Sequence, residues 1–349
     1  MMSASGGDRF EHRDPIHAQA HRGPAQGDHP GDDRAAAAVP AGYARWRVEM
    51  KIEKPGIYRG VLDADYRRDP CPAPSFTQSL CKIIIDRSPK HAWTACESLN
   101  PDWLPDDDPK FDVGNAAHRI VLGRGKDFEI IDFDDWRKKT AQDARHEATR
   151  AGKVAILSHQ FKQAFDMAGH VSVQLHKHED RDAFTKGSAE VMICWEEDGI
   201  WFRSLVDWLH DDLRTIDDYK SSAMSMAPHV IGLRAEAAGW DIQAAFIARG
   251  LDILDPAGAG RRRFRFIGQE TQEPHALTVM HMTKPWMTMG AKKVQTGIDL
   301  WRRCMQTDRW PAYPTCSQTP EYPSFKEKRW LERELSGEFE NDPANLMAG

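Results

Sequence analysis

The chain interleaves short apolar runs with stretches of helical period, the pattern of an α/β domain. The run "EVMICW" (190–195) is apolar and β-branched enough for a strand, and "EEDG" (196–199) supplies a turn. "IWFRSLVDWL" (200–209) then returns, so the pair predicts a hairpin. "LRTIDDYK" (213–220) predicts a third strand. Side chains alternate along a strand, which puts Ile216, Asp218 and Lys220 on one face and Asp217 and Tyr219 on the other. In "AAGWDIQAAFIARGL" (237–251), Trp240, Ala244, Ile247, Ala248 and Leu251 recur at helical spacing, and Gln243 sits beside that face. "GNAAHRIVLGRG" (114–125) predicts the start of a helix with His118 in its first turns.

The remaining pattern fills out the same architecture. Residues 75–100 predict a helix with Ser75 as N-cap, followed by Ser88-Pro89. Residues 132–171 are charged and of helical period, 273–283 predict a strand, and a helix is expected from about Thr288. The proline-rich stretch 310–325 predicts a loop before a charged helix in "FKEKRWLERELSG". In "GRRRFRF" (260–266), alternation sets Arg263 and Arg265 on one face and Phe264 and Phe266 on the other. Arg261, Arg262 and Arg263 are candidates for phosphate contact, or they are a polar strand edge. No internal repeat is present.

Composition narrows the class. At 349 residues, 40% hydrophobic and 29% charged, the chain suits one large domain or two small ones of an ordinary globular enzyme. Residues 1–48 carry few large apolar residues and predict a disordered N-terminal extension. The domain is expected over 49–325, and 326–349 read as a charged C-terminal helix and tail. Met50 is a plausible start, with the preceding residues an extension of the reading frame. The net charge of −6 argues against a basic coat over the whole surface, while leaving room for a local basic groove. Most of the twelve Trp are ascribed to packing. The six Cys contain no CxxC pair, which is poor spacing for zinc. With no signal-peptide pattern and no apolar run of about 18 residues, the expected setting is a cytoplasm with reduced thiols and no membrane.

The candidate chemistry lies in "VDWLHDDLRTIDDYK". Asp207 precedes Asp218 by eleven residues, and Lys220 follows two residues later. Two carboxylates from neighbouring strands can hold a hard divalent cation, and a lysine beside them can position water or offset charge on a phosphodiester. The same residues also read as a solvated acidic loop and strand face. The strand alternation selects Asp218 over Asp217 as the partner of Lys220.

The order helical His, strand Asp, strand Asp-x-Lys, helical Gln resembles the PD-(D/E)XK nuclease superfamily. "PGIYRGVLDADYRRD", "SFTQSLCKIIIDRSPKHAW", "GNAAHRIVLG", "VDWL", "DYKS" and "WDIQAAFIARGL" together look like its RecE-like (exodeoxyribonuclease VIII) branch, over about Pro55 to Pro323. The resemblance implies a restriction-endonuclease-like core, a central mixed β-sheet flanked by helices. It implies His118, Asp207 and Asp218 as ligands of Mg²⁺ or Mn²⁺, Lys220 as the catalytic lysine and Gln243 as the glutamine of the following helix. Glu190 matches an acidic residue that some members carry one strand earlier, with Glu196 and Glu197 close by. Some RecB-like relatives hold an iron–sulfur cluster with late cysteines, but here only Cys304 and Cys316 lie late, so none is expected.

The function so implied is a metal-dependent exonuclease that degrades one strand of linear duplex DNA 5′ to 3′ and leaves a 3′ tail for recombination. The implied partners are double-stranded DNA ends, a single-strand annealing (RecT-like) protein and further copies of the chain, in a bacterial or phage-infected cell. Two alternatives stay open at this point. One is a RecB-like endonuclease or repair nuclease, and the other is a catalytically inert DNA-binding scaffold of recombination.

Overall fold

Among the described residues the longest strands are the two arms of the expected hairpin, and the rest of the sheet is built outward from them. The computed structural model describes residues 50–103, 113–124 and 127–339; the segment 1–48 expected as an extension lies outside the described residues. In chain order, the first half holds β1 (Gly56–Tyr58), α1 (Asp63–Arg67), β2 (Ser75–Phe76), α2 (Gln78–Asp86), α3 (Pro89–Ala95) and α4 (Val113–Leu122). There follow β3 (Phe128–Ile131), α5 (Lys139–Arg150), β4 (Val154–Leu157) and α6 (Ser158–His176). The second half holds β5 (Gly187–Glu197), β6 (Ile200–His210), β7 (Thr215–Ser222), α7 (Pro228–Ala238) and α8 (Trp240–Leu254). It ends with β8 (Arg263–Glu270), β9 (Leu277–His281), α9 (Lys284–Thr307) and α10 (Ser324–Leu335).

The main sheet is mixed and runs β1-β5-β6-β7-β8-β9, with β2 pairing β6. Neighbours are antiparallel except β7 with β8 and β2 with β6. The parallel β7–β8 pair needs a crossover, and α7 and α8 supply it. β3 and β4 form a small parallel sheet of their own. This is the central mixed sheet flanked by helices that the sequence predicts.

Helices cover both faces, which is why the strands are apolar almost throughout. On one side Val191, Ile193, Trp195, Phe202, Ile216, Phe264 and Phe266 pack with Phe246, Ile247 and Leu251 of α8. Trp195 stacks on Phe202 at 5.1 Å between ring centroids and meets Phe246 edge-on at the same distance. On the other side Tyr219 and Ile267 pack with Ala116 and Ala117 of α4 and Ala164, Met167 and Val171 of α6. A third cluster sets Met192 and Cys194 of β5 against Ile52 and Val61. α8 is buried well beyond its predicted stripe, because α9 packs against its second side. A side chain at Gly290 of α9 would put Cβ 2.1 Å from the Asp241 carbonyl oxygen.

Several expectations are corrected. Ser75 is not an N-cap. It lies buried in β2, and Thr77 caps α2 by accepting the Leu80 amide at 3.2 Å. The stretch 132–171 is not one helical region. Gly152, at φ +74, ends α5, and "VAIL" pairs with β3 before α6 begins. α9 starts at Lys284, with Pro285 in its first turn, rather than at Thr288. Of Arg261, Arg262 and Arg263, only Arg263 enters β8, which lies between β7 and β9 rather than at the sheet edge.

Candidate active site

β6 and β7 pair at only two positions, Trp208 with Asp217 and Leu209 with Ile216. Beyond those rungs the strands part, and Asp207 and Asp218 are the first residue of each past the fork. The outward alternation of β6 also slips here, because Phe202, Val206 and Leu209 all join one core cluster. The Tyr219 amide, released from the ladder, donates to Asp207 Oδ2 at 3.1 Å.

Three elements close on the fork. α4 lays His118 beside Tyr219, with ring centroids 6.0 Å apart, and His118 Nε2 meets Asp207 Oδ2 at 2.9 Å. β7 sets Lys220 Nζ 2.6 Å from Asp218 Oδ1, as the alternation requires. α8 brings the Gln243 amide to donate to Asp218 Oδ2. The β7–β8 register places Gly268 opposite Lys220, so no neighbouring side chain crowds the lysine on that rung. Asp218 is sealed at 1% side-chain exposure, whereas His118, Asp207 and Lys220 keep 29%, 17% and 28%. The fork therefore opens to solvent through those three.

Charge is finely balanced here. Burial and then the Asp207 charge push the Asp218 carboxyl up to about 7, against the opposing pull of Lys220 and His118. Burial alone would raise Asp207 as well, but the charge and hydrogen bond of His118, with Lys220, hold it below the usual carboxylate range. Burial disfavours charged His118, yet Asp207 outweighs it and raises the imidazole. Burial works against charged Lys220 in the same way, and Asp218 and Asp207 outweigh it.

One imidazole and two carboxylates are a donor set suited to Mg²⁺ or Mn²⁺. Asp218 Oδ1 is buried, has the lysine as ion-pair partner and lacks a well-directed hydrogen bond. Together with the repulsion between the two aspartates, this fits a site completed by a cation. Among the described residues no three His, Cys, Asp or Glu side chains already converge on one point. His118 and Asp207 are bonded to each other, so the imidazole must turn from that bond to ligate.

The other sequence candidates fall elsewhere. Asp217 faces away from Asp218 and is locked to Arg265, with Nε–Oδ1 at 2.6 Å and Nη2–Oδ2 at 3.0 Å. Arg265 is fully buried and also binds Asp180 at 3.0 Å and Asp182 at 2.6 Å. Arg262 is spent on Asp252 and Asp255, at 2.8 and 3.0 Å, and Arg263 pairs with Asp182 at 3.3 Å. Internal carboxylates thus occupy Arg262, Arg263 and Arg265, and Arg261 donates to the Ala257 carbonyl. Glu197 pairs with Arg249, and Glu196 accepts the Gly199 amide within its turn. Glu190 lies between the rungs Ala189–Trp208 and Val191–Val206, where the β5–β6 register skips a pair. Its φ of +49 is rare for a side-chain-bearing residue in a strand. It makes no hydrogen bond or ion pair with His118, Asp207, Asp218 or Lys220. The Tyr219 amide is the contact that residue reading missed, since a backbone donor leaves no trace in residue type.

The chain matches the family described as PDDEXK-like domain of unknown function (DUF3799) over residues 79–321. A crystal structure of a candidate exonuclease from Eubacterium rectale is similar at 14% sequence identity, covering 72% of this chain and 90% of that one, with a TM-score of 0.47. No curated protein matches the sequence. The family match spans most of the chain and contains His118, Asp207, Asp218, Lys220 and Gln243, so the protein belongs to the PDDEXK-like family.

Proposed function

We propose that the protein is a divalent-metal-dependent deoxyribonuclease, and within that class an exonuclease that degrades one strand of linear duplex DNA from its 5′ end. The observation that carries this reading is the meeting of His118, Asp207, Asp218, Lys220 and Gln243 at the β6–β7 fork. His118, Asp207 and Asp218 would hold Mg²⁺ or Mn²⁺. A bound divalent cation supplies an acidified water and positive charge against the phosphate oxygens. The chain's own residues do the rest. Gln243 fixes one oxygen of Asp218 and so leaves the other, paired with Lys220, as the one that would meet the cation. Lys220, kept cationic by two aspartates, holds the attacking water or a non-bridging phosphate oxygen in place. Hydrolysis of a phosphodiester demands roughly 20 kcal/mol from such a site, and charge complementarity with positioning must supply most of it. A 3′ single-stranded tail, a RecT-like annealing partner and a ring of copies belong to the same proposal.

The test is degradation of end-labelled linear duplex in Mg²⁺, beside a covalently closed circle. The expected result is loss of label from linear DNA with the circle spared. Lys220→Ala and Asp218→Ala should each lower the rate by at least about 100-fold while near-ultraviolet circular dichroism stays unchanged. Full activity in folded Lys220→Ala protein overturns the assignment, and cleavage of the circle overturns the exonuclease reading.

A further inference from the structure

Away from the fork, Cys71 and Cys194 are 123 residues apart in sequence, with their Sγ atoms 3.2 Å apart. Both are free thiols. A covalent bond requires about 2.05 Å, a closure of about 1 Å that small side-chain rotations provide. Independent contacts fix each partner. Cys194 sits in β5, opposite Gly56 of β1 on one side and Arg203 of β6 on the other. Arg203 in turn holds Asp69, two residues before Cys71, at 2.7 Å. Asp69 is further bonded by the Ser75 hydroxyl at 2.8 Å and the Ser98 hydroxyl at 2.6 Å. The thiol pair lies in the cluster with Ile52, Val61 and Met192, on the opposite face of β5 from the core that contains α8. Cys71 is half-buried and within reach of small solutes, whereas Cys194 is buried.

We propose that Cys71 and Cys194 are a site of reversible oxidation, forming a disulfide that staples the segment 50–71 to the back of the sheet. The oxidant is a low-molecular-weight disulfide such as oxidised glutathione. The Cys71 sulfur attacks one glutathione sulfur, the glutathione S–S bond breaks, and one glutathione leaves as thiol with the Cys71 proton. The Cys194 sulfur then attacks Cys71, the mixed disulfide breaks, and the second glutathione leaves with the Cys194 proton. Two protein thiols are oxidised and one glutathione disulfide is reduced. The hydrogen bond shared with Cys71 and burial both raise the Cys194 thiol, which makes half-exposed Cys71 the attacking group in the first step.

The experiment uses the full chain incubated with oxidised or reduced glutathione, followed by intact mass and a non-reducing peptide map. The expected product is lighter by two hydrogens, joins the Cys71 peptide to the Cys194 peptide, and reverts with dithiothreitol. Closing so long a loop should raise the thermal midpoint by about 5 °C, a shift absent from Cys71→Ser. Stable glutathione adducts without a cross-link, or a cross-link between other cysteines, overturn the proposal. The map is read on the unaltered protein, so it decides the matter even where a serine variant folds poorly.

Discussion

At Asp218 a carboxylate is buried beside a second carboxylate, and that residue sets the terms for the cation binding proposed above. Its carboxyl is pushed up to about 7 by burial and by Asp207, and Asp207 raises the imidazole of His118. Both groups carry protons over part of the neutral range, and both must lose them to ligate. Cation binding is therefore expected to release protons and to tighten as pH rises from 6 to 8. Calorimetric titration with Mn²⁺ in buffers of different ionisation enthalpy measures the proton count directly, and zero protons released at pH 6.5 would contradict it. That Asp218 rather than Asp217 meets Lys220 was legible from sequence alone, because a period of two is imposed by the strand itself. The fate of Asp217 was not legible. Its partner Arg265 arrives from a strand 48 residues later, and nothing local marks a buried pair.

The elements most readable in the sequence were those whose apolar pattern serves one dominant contact. The β5–β6 hairpin, β7 and α8 follow their predicted runs to within a few residues. β3 and β4 were missed because four-residue strands, lodged among charged helices, offer too short a period to stand out. Ser75 illustrates a different failure: a good capping residue was claimed by the buried Asp69–Arg203 pair, and Thr77 two residues on took the cap. The packing of α9 on α8 depends on the bare backbone at Gly290. Gly290→Ala drives a methyl into the Asp241 carbonyl, a rigid obstacle, and is expected to cost about 1–3 kcal/mol. Chemical denaturation measures it, with Gly169→Ala on the open side of α6 as the comparison substitution.

On the scale of the whole molecule, two buried charge clusters differ in how they are balanced. One holds Arg265 among Asp217, Asp180 and Asp182. Burial would raise Asp180, but its bonds to His281 and Arg265 outweigh that and hold it low, and Arg265 does the same for Asp182. A lowered carboxyl contributes stability above its unfolded value, near 4, and loses it as pH falls through the folded one. Acid should therefore loosen this cluster below about pH 4. Arg265→Leu leaves buried Asp217 with only the His210 ring, at 2.7 Å, and the Phe184 amide, at 2.9 Å, and is expected to cost about 3–5 kcal/mol, read from urea unfolding at pH 7. At Asp218 of the fork the sign is reversed, although Asp207 beside it is lowered. A carboxyl raised above its unfolded value subtracts from stability as pH climbs between the two, so Asp218 weakens the cation-free fold at neutral and alkaline pH. Asp218→Asn removes that penalty along with the proposed ligand. The variant should then melt several degrees higher than the natural protein at pH 8 without divalent cation, with the gap narrowing at pH 5. The fork would in that case be a place where working and lasting pull against each other, and a screen for heat resistance alone would select the variants that have stopped cutting.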